Sequence, residues 1–276
     1  MSLPEWLEGA IDLHLHSAPD VDPRRYDDFE LACEAARAGL RAILIKNHQS
    51  STVERAWLAS KAVPEIRVFG GVVLSETVGG LNPAAVRLAL QWGAKQVWMP
   101  TRSALNHRQW DDQPGGITVL DSERRLRPEA EEILRLMAGG DAILGTAHLS
   151  PEEGVYLIHR ARELGVKKIL VTHPEWHITP YPVALQRDLA ARGVMFERCF
   201  VSTTHRGGRV PMESIAEAIA EVGVETTVLS TDSGQPDTPP PAECLRLYAE
   251  RLQALGFTPD QLRQMMCLNP VRLLGL

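Results

Sequence analysis

Two histidines one residue apart, His14 and His16, interrupt the apolar run IDLHLH near the start of this 276-residue sequence. In an extended strand alternate side chains share a face. Both imidazoles can then reach one ion while Leu13 and Leu15 turn the other way. Further along, His148 in GTAHLS, His173 in VTHPEW and Asp232 in LSTDSGQ each close a short apolar run. Taken singly, His148 or His173 reads equally well as a hydrogen-bonded histidine, and Asp232 as a turn cap. Together they read as a metal site. Neutral imidazoles with a carboxylate suit a divalent ion of borderline softness, zinc before manganese, iron or nickel. Cys33, Cys199, Cys244 and Cys267 are scattered without a Cys-x-x-Cys pair. They read as reduced thiols, not as a disulfide framework or a thiolate-rich site.

These residues need a scaffold, and the rest of the sequence supplies its pattern. Apolar, β-rich runs cover 11–16, 41–47, 67–74, 96–99, 142–148, 168–173, 194–199 and 227–232. Each is mostly apolar rather than alternating, as expected of parallel strands covered on both faces. Amphipathic helical segments lie between them. Glycine marks helix ends at Gly39, Gly93, Gly165, Gly193 and Gly223, and proline marks helix starts at Pro83, Pro128 and Pro151. Eight strand–helix units with short returns predict an α/β fold, a single-domain (β/α)8 TIM-type barrel over 1–276. An open doubly wound sheet is the structural alternative. In such a barrel the active site lies at the C-terminal ends of the strands and in the loops that follow. His14, His16, His48, His107, His148, His173, His177 and His205 all fall there, and only His159 is placed on a helix. The irregular stretch 100–127 is long for a compact domain and is expected to act as a lid or binding loop.

The formal net charge is −6, from 29 basic and 35 acidic residues, and there is no basic run. That excludes a dedicated nucleic-acid binder and favours a small-molecule substrate. Within the loops, Lys46, Arg102, Arg108, Arg206 and Arg209 form a local cationic bias that suits an anionic substrate, carboxylate or phosphate. Lys46, Arg102 and Arg206, with His48, His107 and His205, are the candidate substrate-binding residues. Trp98, Trp110 and Trp176 are candidates for a pocket wall. No signal-peptide pattern opens the sequence and no apolar stretch would span a bilayer, so a cytoplasmic protein with no membrane partner is expected. A homo-oligomer is compatible with everything above.

The combination IDLHLH, GTAHLS, VTHPEW and LSTDSGQ, with the terminal NPVRLLGL, resembles the amidohydrolase superfamily from residue 11 to 276. LKNHQSST, GGLNP and WMPT look like an uncharacterised branch of it. The resemblance implies that His14 and His16 bind a buried metal. It implies that His148 and His173 bind a second metal or the substrate, and that Asp232 binds metal and moves the proton of the attacking water. His148, His173 and Asp232 are therefore the candidate catalytic residues. Two-metal members carry a bridging carboxylated lysine or glutamate on the fourth strand, but KQVWMPT offers neither. Lys46, as its carbamate, and Glu76 are the substitutes, which leaves one ion or two open. Otherwise Lys46 would be a substrate-binding ammonium and Glu76 a loop-ordering carboxylate. The HxH start is also similar to the polymerase-and-histidinol-phosphatase barrels, whose late Asp-x-His is missing here. The function implied is a metal-dependent hydrolase of an amide, ester, lactone or phosphoester. A decarboxylase, lyase or isomerase is the alternative, and a non-catalytic metal or ligand sensor comes third.

Overall fold

Eight strands hydrogen-bond in sequence order, each parallel to the next. They are β1 (Ile11–Leu15), β2 (Ala42–Ile45), β3 (Arg67–Val73), β4 (Gln96–Trp98), β5 (Ile143–Gly145), β6 (Ile169–Thr172), β7 (Met195–Cys199) and β8 (Thr227–Ser230). This computed structural model describes residues 3–276 of the domain expected over 1–276; Met1 and Ser2 lie outside it. The ends of the sheet meet: Asp232 N donates to His14 O at 2.8 Å and His16 N to Ser233 O at 2.9 Å. Deeper in the barrel the Asp12 carboxylate fastens the same seam, accepting from the His14 and Thr231 amides and from the Thr231 hydroxyl. Burial pushes the Asp12 carboxyl up to about 7, against the pull of those hydrogen bonds. The sheet closes into a (β/α)8 barrel.

Helices cover the outside, among them α1 (Asp28–Arg37), α2 (Val53–Ala62), α3 (Pro83–Gln91), α4 (Leu105–Trp110), α5 (Pro128–Met137) and α6 (Pro151–Glu163). They continue with α7 (Val183–Ala190), α8 (Met212–Val222), α9 (Pro241–Ala254), α10 (Pro259–Arg263) and α11 (Asn269–Leu274). Strand residues are buried on both faces, as a helix-covered parallel sheet requires. Pro83, Pro128 and Pro151 occupy first-turn positions, and the five helix-ending glycines all take positive φ. Asn269 secures α11 by donating to Val224 O and Thr227 O at the foot of β8. No helix among the described residues is long and apolar enough to cross a membrane.

Several strands stop before the residues expected to end them. β5 ends at Gly145, three residues short of His148, and β8 ends at Ser230, two short of Asp232. The chain turns there through Ala147 (φ 50°), His173 (φ 53°) and Asp232 (φ 54°). A side chain with a Cβ rarely adopts that left-handed conformation, which costs on the order of 1 kcal/mol or more, and such residues concentrate at functional sites. The 100–127 stretch is also more ordered than expected, because it contains α4. Glu153 on α6 pins this segment by accepting from Thr118 Oγ1 and Val119 N.

Candidate metal centre

Three imidazoles from two strand ends surround one carboxylate. Asp232 Oδ1 lies 3.2 Å from His14 Nε2 and 3.0 Å from His16 Nε2, and Oδ2 lies 3.6 Å from His173 Nε2. The period-two alternation on β1 brings the first pair to one side of the barrel. The left-handed turns after β6 and β8 bring His173 and Asp232 to meet them. Gly234 makes the last approach feasible, since a Cβ there would sit 1.9 Å from His16 O.

The donor set fits a divalent ion. Ligand atoms about 2.0–2.1 Å from tetrahedral zinc stand roughly 3.3 Å from one another, and the three separations bracket that value. Burial drives His16 and His173 down to about 3, so both rings are neutral, the charge state in which an imidazole ligates a metal. For His14, burial and Lys46 oppose the charged ring, but Asp232 and Glu197 outweigh them and its pKa is raised. Burial works against the Asp232 carboxylate too, yet His14 and His16 hold it well below its usual range. Lys46, just past β2, directs Nζ to within 2.9 Å of His14 Nε2 and lies over the Trp98 ring. Burial lowers its pKa.

Above this cluster opens a cavity of about 560 Å³. His48, His107, His148 and Trp176 wall one side; Arg102 and Arg206 reach it from the mouth, and the buried Arg24 also lines it. His148 does not join Asp232. Its Nδ1 pairs with His107 Nδ1 at 2.9 Å, and its ring centre is 6.0 Å from that of His173. His48 stacks on His16 and pairs with Thr101 Oγ1. Burial pushes both His48 and His148 well below the normal histidine value.

Other candidates lie elsewhere. Glu76 is half exposed and bound to Arg108, 2.6 Å away, in the loop after β3, the one βα loop that contributes nothing to the cavity wall. The short turn that follows β3 keeps it at the surface. His205 is exposed and sits beside Asp237. Arg206 and Arg102 line the mouth, already paired with Asp237 and Asp22. Trp98 is buried beneath the site and Trp110 is exposed, so Trp176 alone of the three tryptophans faces the cavity.

On β7, Glu197 escaped the sequence reading, and Cys199 was read there only as a reduced thiol. Glu197 and Cys199, on one face of the strand, both approach His14 Nδ1, at 3.0 Å and 3.6 Å. His14, His173 and Cys199 form a second cluster of potential ligands, but burial raises the Cys199 thiol far above its normal pKa. The only signal was charge inside an apolar run, MFERC, and strand register decides which of Glu197 and Arg198 faces inward.

A family model described as a family of unknown function, DUF6282, matches residues 9–197. The chain belongs to this family. The match takes in β1 to β6 and most of β7, and stops before Asp232. No curated protein sequence matches the chain. Solved structures share its fold across nearly its whole length. An amidohydrolase from Pseudomonas aeruginosa superposes with a TM-score of 0.69 at 14% identity, over 99% of this chain and 98% of that one. An organophosphorus hydrolase from Deinococcus radiodurans gives 0.60 at 17%, over 97% and 93%. A lactonase from Listeria monocytogenes gives 0.62 at 12%, over 97% and 95%.

Proposed function

We propose that the chain is a metal-dependent hydrolase of a small anionic substrate, such as a lactone, ester, amide or phosphoester bearing a carboxylate or phosphate. One observation carries this reading: His14, His16 and His173 converge through Nε2 on Asp232 at the floor of a polar cavity. Support also comes from the hydrolytic enzymes named for three structures of the same fold. A divalent ion bound there would act as a Lewis acid and lower the pKa of water from about 15.7 towards 7.

The chain's own residues have distinct tasks. Asp232 touches two histidines through Oδ1 and leaves Oδ2 on the His173 side, where it can take a proton from water and return it to a leaving group. Trp176, edge-on to His148 and His173, screens the floor from bulk solvent. Arg102 and Arg206 offer guanidinium groups at the mouth, each held by one carboxylate. A substrate anion can share them. Zinc is the ion favoured by this donor set.

The test is Asp232→Asn assayed on a carboxylate-bearing lactone or ester that the wild type hydrolyses. Turnover should fall about 10²–10⁴-fold while the fold and most of the metal are retained. Wild-type turnover in the variant would rule out the proton role. Release of CO2 from keto or aromatic acids, without hydrolysis of any ester or lactone, would favour a decarboxylase.

A further inference from the structure

Among the three imidazoles around Asp232, the nitrogen facing away from the cluster is treated unequally. His16 Nδ1 and His173 Nδ1 are buried with no hydrogen-bond partner among the described residues. His14 Nδ1 instead meets Glu197 Oε2 at 3.0 Å, with both side chains fully buried. The other carboxylate oxygen, Oε1, accepts from the Ser230 hydroxyl at 3.0 Å. His14 of β1 and Ser230 of β8 thus hold this carboxylate, one at each oxygen. On the opposite edge of the ring, Lys46 Nζ approaches Nε2. Nε2 thus has two neighbours, Lys46 Nζ at 2.9 Å and Asp232 Oδ1 at 3.2 Å; a lysine ammonium has only hydrogens to offer, and donating to Nε2 it leaves the ring proton on Nδ1. The shorter contact on each edge, Glu197 at Nδ1 and Lys46 at Nε2, favours the Nδ1–H tautomer. Cys199 Sγ is farther, at 3.6 Å, and a thiol is the weaker partner.

We propose that Glu197 is the positioning residue of the metal centre: it accepts the Nδ1–H of His14 and thereby fixes the tautomer and ring angle that present Nε2 to the ion. A carboxylate behind a ligating histidine orients the ring and makes it a better donor, and its loss usually weakens metal binding 10–100-fold. Of the three histidines, His14 alone has a carboxylate behind its ring among the described residues. This inference rests on the metal-site reading above, but its tautomer half can be tested without metal.

The experiment pairs two readouts. Zinc affinity is measured by chelator competition for wild type and Glu197→Gln, with the melting temperature of each metal-free protein as the folding control. Separately, 15N-histidine spectra of the metal-free wild type, at a pH where the His14 ring is neutral, report its tautomer. A Nδ1–H tautomer for His14, with about 10–100-fold weaker zinc binding in a folded Glu197→Gln variant, is the expected result. An Nε2–H tautomer in the wild type overturns the proposal, even if the variant fails to fold. Unchanged zinc affinity in the variant also overturns it, because Glu197 would then serve the barrel alone. A wild type that binds no zinc would sink the metal-site reading, while the tautomer would still decide the role of Glu197.

Discussion

Lys46 Nζ lies 2.9 Å from His14 Nε2, the same ring nitrogen that stands 3.2 Å from Asp232. An ion and the lysine therefore compete for one lone pair. Removing the amine with Lys46→Met also removes a like charge from beside the ion, and zinc affinity is expected to rise about tenfold. Chelator competition measures it. Loss of bound metal in the variant would instead make Lys46 a ligand, the role its carbamate would fill.

Arg198 faces outward from β7, fully buried, where it pairs with Glu175 and donates to Gln186 Oε1. Burial lowers its pKa to about 10, so the guanidinium is charged at neutral pH. Glu175 belongs to the loop that carries Trp176. Glu175→Ala would leave a buried charge without its counter-ion and should destabilise the fold by about 3–5 kcal/mol. A urea melt would show this, and a change below 1 kcal/mol would contradict the buried pair.

Glu34 on α1 has its pKa raised above the usual 4.5, chiefly by burial. A carboxyl raised in the folded state favours folding fully below the unfolded pKa, and that contribution is lost as pH rises through the folded pKa. Glu34→Gln, which stays neutral, should therefore match the wild type near pH 4 and melt higher at pH 8. Equal melting temperatures at pH 8 would contradict the shift.

Much of the barrel was legible because local rules and global fold agree. Gly39, Gly93, Gly165, Gly193 and Gly223 close helices as glycine C-caps do, and His14-x-His16 follows directly from strand alternation. Strand ends were harder to read. His148, His173 and Asp232 were found by residue type, but the left-handed turns that aim them depend on contacts with neighbouring strands. His107 was placed in a loop, and the structure puts it on α4 against His148. Glu197 could not be separated from Arg198 without the register of β7, which is set by pairing with β6 and β8. Glu76 had the right chemistry but is drawn to the surface by Arg108.

The most direct test of the metal centre is elemental analysis of protein purified without chelator or added metal, beside a His14→Ala/His16→Ala variant. At least about one divalent ion per chain, lost in a variant that stays folded, is the expected result. A folded wild type with no ion, and none taken up on titration with zinc or manganese, would contradict the claim that these histidines and Asp232 form a metal site.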